Sequence, residues 1–528
     1  MALLDTIISA FPIFLLIIVM TKKQAWPSHI ALPFVALLTG LIQIFYFYSD
    51  IQLLMANTVA GVLSVLTPIS IVAGAILLNR VLAISGAENV IASWLESISN
   101  NSVAQLMIIG WAFAFMLEGA SGFGTPAAIA APILVGLGFK PIQVAILALI
   151  MNSVPVSFGA VGTPLWFGYD VLNLDNDTLL SISSQSAFIN AVAGFIIPIL
   201  ALRFVVSWSL IKPNLGYILL SILSCTLPYW CLAQFNYEFP ALLGGAIGLI
   251  VSVLLANKGI GLSAVENSKL TNEKVELGKL LVALFPLILL ILILIVTRIN
   301  QLGIKGLLLK DNIVFGVDIG GTYFSVSQSL ILSINNIFQT DVSWSYKTLY
   351  VPAIIPFLLV VIIAIPLLKM SRKQVAAAFL DTGQRIKTPM ISLAGALIMV
   401  NFMMQGGDQS PIFLIANAFS SITGSSWSYF ASLLGALGSF FSGSATVSNL
   451  TFGGIQYSIA EQVGLPVTTI LALQSVGASM GNMVCINNII AVSTILGIAN
   501  QEGYIIKKTI LPMVAYAVIA GLVGTLLI

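Results

Sequence analysis

Charge is what this sequence lacks. Of 528 residues, 8% are Asp, Glu, Lys or Arg, and 59% are hydrophobic. Soluble domains carry about 25% charged residues, so a water-soluble globular fold is excluded and a polytopic membrane protein is expected. Histidine is nearly absent: His29 is the single one, at the expected start of a helix after Lys22 and Lys23. With no H-E-x-x-H and no nucleophile–base set, an enzyme is not expected. The three cysteines, Cys225, Cys231 and Cys485, have neither metal spacing nor the pattern of a disulfide framework. Cys225 and Cys231 share one apolar segment and read as packing residues. The net charge of +2 comes without any basic cluster, so nucleic acid is excluded as a partner. The opening "MALLDTII" lacks a basic n-region, so the first apolar run is expected to stay as an anchor.

What the chain does have is apolar runs of spanning length, about 20 residues each. They fall near 3–20, 29–47, 54–79, 142–166, 183–208, 216–233 and 238–256, then near 279–298, 349–369, 388–407, 466–499 and 508–528. Those at 142–166 and 466–499 are interrupted. The pieces flanking Glu118, and those flanking Gly443, look too short to cross. Basic residues gather in 369–387 (Lys369, Arg372, Lys373, Arg385, Lys387), in 21–28 and in 203–212, whereas 167–182 holds Asp170, Asp175 and Asp177 with none. Placing the basic loops in the cytoplasm puts both termini outside with about twelve crossings. That scheme closes if 103–138 is a re-entrant hairpin from the cytoplasm and 427–463 one from outside.

Internal repetition supports the same scheme. "TPISIVAGA" from Thr67 returns as "TPMISLAGA" from Thr388, an offset of 321 (388 − 67). "EGASGFGT" from Glu118 stands against "SGSATVSN" from Ser442, offset 324 (442 − 118), and "ILAL" recurs at 146 and 470, again 324 (470 − 146). The fold class expected is all-α: about twelve transmembrane helices plus two re-entrant hairpins, in two inverted-topology repeats with helices broken at the midplane. Residues 1–212 would form the first repeat, 213–278 the linking helices and a cytoplasmic linker, and 279–528 the second repeat with an outside loop at 299–348. Inverted repeats with broken helices are the mark of secondary transporters. A channel would instead need a continuous polar pore.

The chemistry belongs at the breaks. Irregular backbone at membrane depth is tolerated only where protein buries it or it lines a wet cavity. Gly119, Gly122 and Gly124 let the chain reverse, and Pro126 suits the first turn of the next half-helix. Such a half-helix aims its positive end at the turn, a ready place for a carboxylate. The expected ligands of a small carboxylate are Ser121, Gly122, Gly124, Thr125, Ser444, Thr446, Ser448 and Asn449 at the hairpin tips. Asn152, Ser153, Thr163 and Asn487 join them from "NSVPVSFGAVGTP" and "GASMGNMVCINN". Glu118, an acid inside the membrane, is the expected proton-coupling residue. The plainer readings are close helix packing for the glycines and an ion pair with Arg80 for Glu118.

"EGASGFGTPAAIAAPILVGLGFKP", "NSVPVSFGAVGTP" and "SGSATVSN" closely resemble the bacterial L-lactate permeases, over nearly the whole chain. The resemblance implies proton symport of L-lactate and related 2-hydroxy monocarboxylates such as glycolate, inward across the cell inner (plasma) membrane. It also implies kinship with the wider ion-transporter superfamily of paired hairpins. One departure is Ala445, where family members often carry an acid; coupling then rests on Glu118 or uses another ion. A Na⁺-coupled carrier of another small carboxylate is the alternative, ahead of an anion channel. The partners expected are that carboxylate, protons and the lipid bilayer, with room for a homodimer. No cofactor and no metal is expected.

Two segments stand outside this scheme. "DIGGT", Asp318 to Thr322, looks like the phosphate loop of sugar kinases, but its segment is too short for a nucleotide fold. The alternation in "IVFGVDIGGTYFSV" fits a short hairpin over the outer mouth instead. "ENVIASWLESI", Glu88 to Ile98, has an apolar stripe at helical spacing and reads as a helix along the cytoplasmic interface.

Overall fold

The computed structural model describes residues 2–21, 26–122, 125–263, 275–298, 302–498 and 501–528. Among the described residues nine helices are long and apolar enough to cross a membrane, from Ser28–Phe45 to Glu502–Leu527. Two helix pairs bent at a break are long and apolar enough when taken together, Pro141–Met151 with Pro155–Leu172 (59°) and Val467–Val484 with Ile486–Ile495 (42°). The first and ninth apolar runs are the shorter helices Leu4–Met20 and Ala353–Leu367. The protein is therefore an all-α polytopic membrane protein with broken helices. The 257–278 linker is described only at its ends.

The chain sorts into two compact units, each drawing on both halves of the sequence: Met1–Val90 with Leu277–Ala418, and Ile91–Glu276 with Phe419–Ile528. In the first, the stretch expected as a basic loop from 369 to 387 is helical from Arg372. Ser371 and Gln374 form a capping box at the start of the helix Arg372–Met403, and the run "RKQVAAAFL" is made largely of good helix formers. Arg80 pairs there with Asp381 at 2.5 Å, and Arg385 joins the same carboxylate at 3.1 Å. Arg80 thus has an acid within its own unit.

The first unit also carries an antiparallel meander, β1 (Ile313–Ile319), β2 (Thr322–Ser327), β3 (Ile331–Asn335) and β4 (Trp344–Lys347). "DIGGT" is its first turn. Gly320 and Gly321 have φ of 62° and 82°, the two positive values of a type I′ hairpin loop. Asp318 Oδ1 accepts from the Gly321 N–H at 2.9 Å and closes the turn.

The second unit holds both hairpins and both broken helices. The first hairpin descends through Ser102–Ser121, with a π-helical stretch at Leu106–Phe113, turns at Gly122 and returns as Thr125–Gly136. Its first arm has 20 residues and is long enough to cross, unlike the short piece expected; the return arm has 12. That first arm is 94% buried, as a chain interrupted at membrane depth must be. The second hairpin pairs Trp427–Ser442 with Ala445–Val463 across Gly443, whose φ is 73°.

Candidate functional site

The first broken helix departs most from regular backbone. Ala160, Val161 and Gly162 all have positive φ, 46°, 58° and 70°. For β-branched Val161 this is a true outlier, and each non-glycine residue so placed costs roughly 1–2 kcal/mol. Side chains hold the turn in place. Thr163 Oγ1 donates to the Ala160 carbonyl (2.5 Å) and Trp166 Nε1 to that of Val161 (3.0 Å). Asn449 Nδ2, from the second hairpin, donates to Pro164 O at 2.8 Å. Strain held this firmly is typical of functional sites.

Against this turn lies a small cavity lined by Glu118, Gly122, Val156, Gly159, Ala160, Pro164, Gly443, Ser444, Ala445, Thr446 and Asn482. It leaves about 20 Å³ for the centre of a water-sized sphere, room for a water molecule. Glu118 is 3% exposed, and its Oε2 accepts from Asn152 Nδ2 at 3.0 Å. The other oxygen, Oε1, faces Gly159 and Gly122. Opposite stands the first turn of Ala445–Val463, with Ser444 as N-cap accepting from Val447 N–H at 3.3 Å. The N–H groups of Ala445 and Thr446 lie in that turn, where no helical carbonyl reaches them. A buried carboxyl therefore faces the positive end of a helix across a space that can hold a polar ligand.

Of the residues expected at a site, the structure brings Glu118, Gly122, Ser444 and Thr446 to the cavity wall, with Asn152 directly behind Glu118. Ser121 Oγ donates to Leu117 O at 2.9 Å, and Ser153 Oγ to Ile150 O at 2.7 Å, so each is tied into its own helix. Thr163 is spent on the strained turn. Ser448 and Asn449 are fully buried away from the cavity. Ser448 Oγ donates to Gly435 O at 2.7 Å, and Gln474 Nε2 reaches both Ser448 Oγ (3.2 Å) and Asn449 Oδ1 (3.3 Å). They fasten the second hairpin rather than line the space. Asn487 is exposed, beside Gly443. Gly124 and the Thr125 side chain lie outside the described residues.

Sequence reasoning missed Asn482, Gly159, Ala160 and Pro164, although a signal existed. "SVPVSFGA", Ser153 to Ala160, aligns without gaps on "SVGASMGN", Ser475 to Asn482, at an offset of 322 (475 − 153). The structure joins these equivalent positions. Ser157 Oγ lies 2.7 Å from Ser479 Oγ, and Val156 and Ala478 share one buried cluster with Ala445. Ser157 also accepts from Asn190 Nδ2 at 3.0 Å, while Asn190 Oδ1 accepts from Tyr516 OH at 2.7 Å. This network fixes the two breaks against each other directly behind the cavity.

Comparison with known proteins identifies the family. The sequence profile described as L-lactate permease matches residues 5–528. A Haemophilus influenzae protein named "Putative L-lactate permease" is 56% identical over 98% of this chain and 98% of its own. The glycolate permease GlcA of Escherichia coli is 26% identical over 99% of this chain and 95% of its own. An L-lactate permease of Salmonella typhi is 24% identical over 99% and 96%. Among solved structures, MtrF of Neisseria gonorrhoeae matches with a TM-score of 0.44 and 15% identity, over 92% of this chain and 84% of that one. From a profile match across nearly its whole length and a relative of such high identity, this chain belongs to the L-lactate permease family.

Proposed function

We propose that this protein imports L-lactate and related 2-hydroxy monocarboxylates such as glycolate by proton symport across the cell inner membrane, with Glu118 as the proton site. One observation carries the reading: Glu118 is buried on the cavity wall, facing a helix N-terminus, with the neutral amide of Asn152 as its hydrogen-bond partner. A carboxylate substrate at that N-terminus is attracted by the helix and repelled by an ionised Glu118. Protonation of Glu118 removes the repulsion, so proton and substrate favour each other's binding, which symport requires. The loaded site then buries no unpaired charge while it changes its exposure. Relatives bearing lactate and glycolate permease names support the substrate class.

The test is uptake of labelled L-lactate into proteoliposomes under an imposed pH or Na⁺ gradient. Concentrative uptake with the inside alkaline and no sodium is expected. Accumulation that follows sodium and ignores pH would overturn proton coupling.

The inverted-repeat reading makes a separate prediction about sidedness. A cysteine introduced at Gly383, in the basic stretch, is expected to react with an impermeant maleimide only from the cytoplasm. One at Asn176, beside the acidic stretch, should react only from outside. Labelling of both from the same side would remove the inverted topology.

A further inference from the structure

One polar side chain on the cavity wall, Asn482, takes no part in the coupling scheme. Asn482 is 9% exposed and lines the cavity. Its Oδ1 and its backbone carbonyl both accept from Asn488 Nδ2. The bond to the backbone carbonyl, at 3.3 Å, makes Asn488 Nδ2 a donor, so the Asn482 side chain turns its oxygen toward it. The Asn482 amide nitrogen is left with no acceptor among the described residues. Asn482 stands on the cavity wall, so its amide is able to donate to a ligand held there.

The local correspondence between the two breaks sharpens this. In "SVPVSFGA" and "SVGASMGN" the last positions, Ala160 and Asn482, are equivalent, and both line the cavity. The serines that precede them meet each other. Where the paired segments reach the open space, one presents a methyl group and the other an amide. The cavity is therefore asymmetric at this pair.

The ligand atom that suits Asn482 follows from helix electrostatics. Asn482 directly follows the helix Val467–Gly481, whose C-terminal end is negative and disfavours a carboxylate. The first turn of Ala445–Val463 presents the opposite end and free N–H groups. A 2-hydroxy acid carries both a carboxylate and a neutral oxygen on the adjacent carbon. We propose that Asn482 donates to the 2-hydroxyl of the substrate while the N-terminus of Ala445–Val463 holds its carboxylate. Asn482 is then the residue that separates 2-hydroxy acids from simple carboxylates. This rests on the transport reading above.

The experiment measures inhibition of labelled L-lactate uptake in proteoliposomes by unlabelled lactate, glycolate and propionate, which lacks the 2-hydroxyl. Wild type is expected to favour lactate over propionate. Asn482→Ala should shrink that preference roughly two- to ten-fold, the worth of one neutral hydrogen bond, by weakening lactate and glycolate far more than propionate. Asn482→Ser, which retains a donor, should keep part of the preference; it is read by the same ratio if the alanine variant inserts poorly. An unchanged ratio, or equal weakening of all three acids, overturns the assignment. A wild-type protein that transports no 2-hydroxy acid removes the transport reading itself, a result distinct from either of those.

Discussion

Replacing Glu118 by Gln is expected to abolish concentrative lactate uptake while leaving exchange of lactate across the membrane intact. A proton gradient of one pH unit is worth about 1.4 kcal/mol per proton, so one-to-one symport can sustain up to about ten-fold accumulation of the acid. The variant should stop at equal concentrations on both sides. Its fold should survive, because Gln has the shape of protonated Glu and its oxygen can still accept from Asn152 Nδ2, now 3.0 Å from Glu118 Oε2. Losing both exchange and accumulation would make Glu118 part of the binding surface alone. Retaining accumulation would place the coupling proton on another group. Paired measurements of counterflow and of ΔpH-driven uptake, on the same vesicles, separate the three results.

Much of this site was legible because a membrane chain tolerates little polarity. Glu118, the glycines after it and the polar breaks at 152–164 and 477–488 stand out against an apolar background. The structure puts a turn or a bend at each of them. The hairpin at Asp318–Thr322 was legible in the same way, from two adjacent glycines between alternating strands. Facing was harder. Ser448 and Asn449 have suitable chemistry, but they lie one turn into a helix whose first turn borders the cavity, and that phase depends on how the hairpin arms pack. Asn482 reaches the cavity because the two breaks pack together, and the Ser157–Ser479 bond that joins them links positions 322 residues apart. No local period reports such a contact. The basic stretch after Ser371 misled in another way: counting charge suggested a loop, whereas the S-x-x-Q cap and strong helix formers outweigh it.

Substituting Gly159 by Ala is expected to abolish transport without unfolding the protein. Gly159 has φ of −61° and ψ of 154°, a conformation any residue adopts, so alanine brings no backbone strain there. What it brings is a methyl group directly into Glu118 Oε1. The carboxyl is the far end of a flexible side chain, so the protein can yield by displacing it. The cavity has space for little more than a water, however, and displacement breaks the alignment of Glu118 with Asn152 and the opposing helix end. A shift of about 1 Å at a reacting group can cost 100-fold, and a loss of that order in uptake is expected. Gly119→Ala provides the contrast. There the added carbon meets the backbone of Ala241 and Leu242, which cannot swing aside, so that variant should lose thermal stability and yield. The two outcomes are read by pairing uptake with a melting curve in detergent. A Gly159→Ala protein that melts like wild type and still accumulates lactate would show that the position of Glu118 does not matter to coupling.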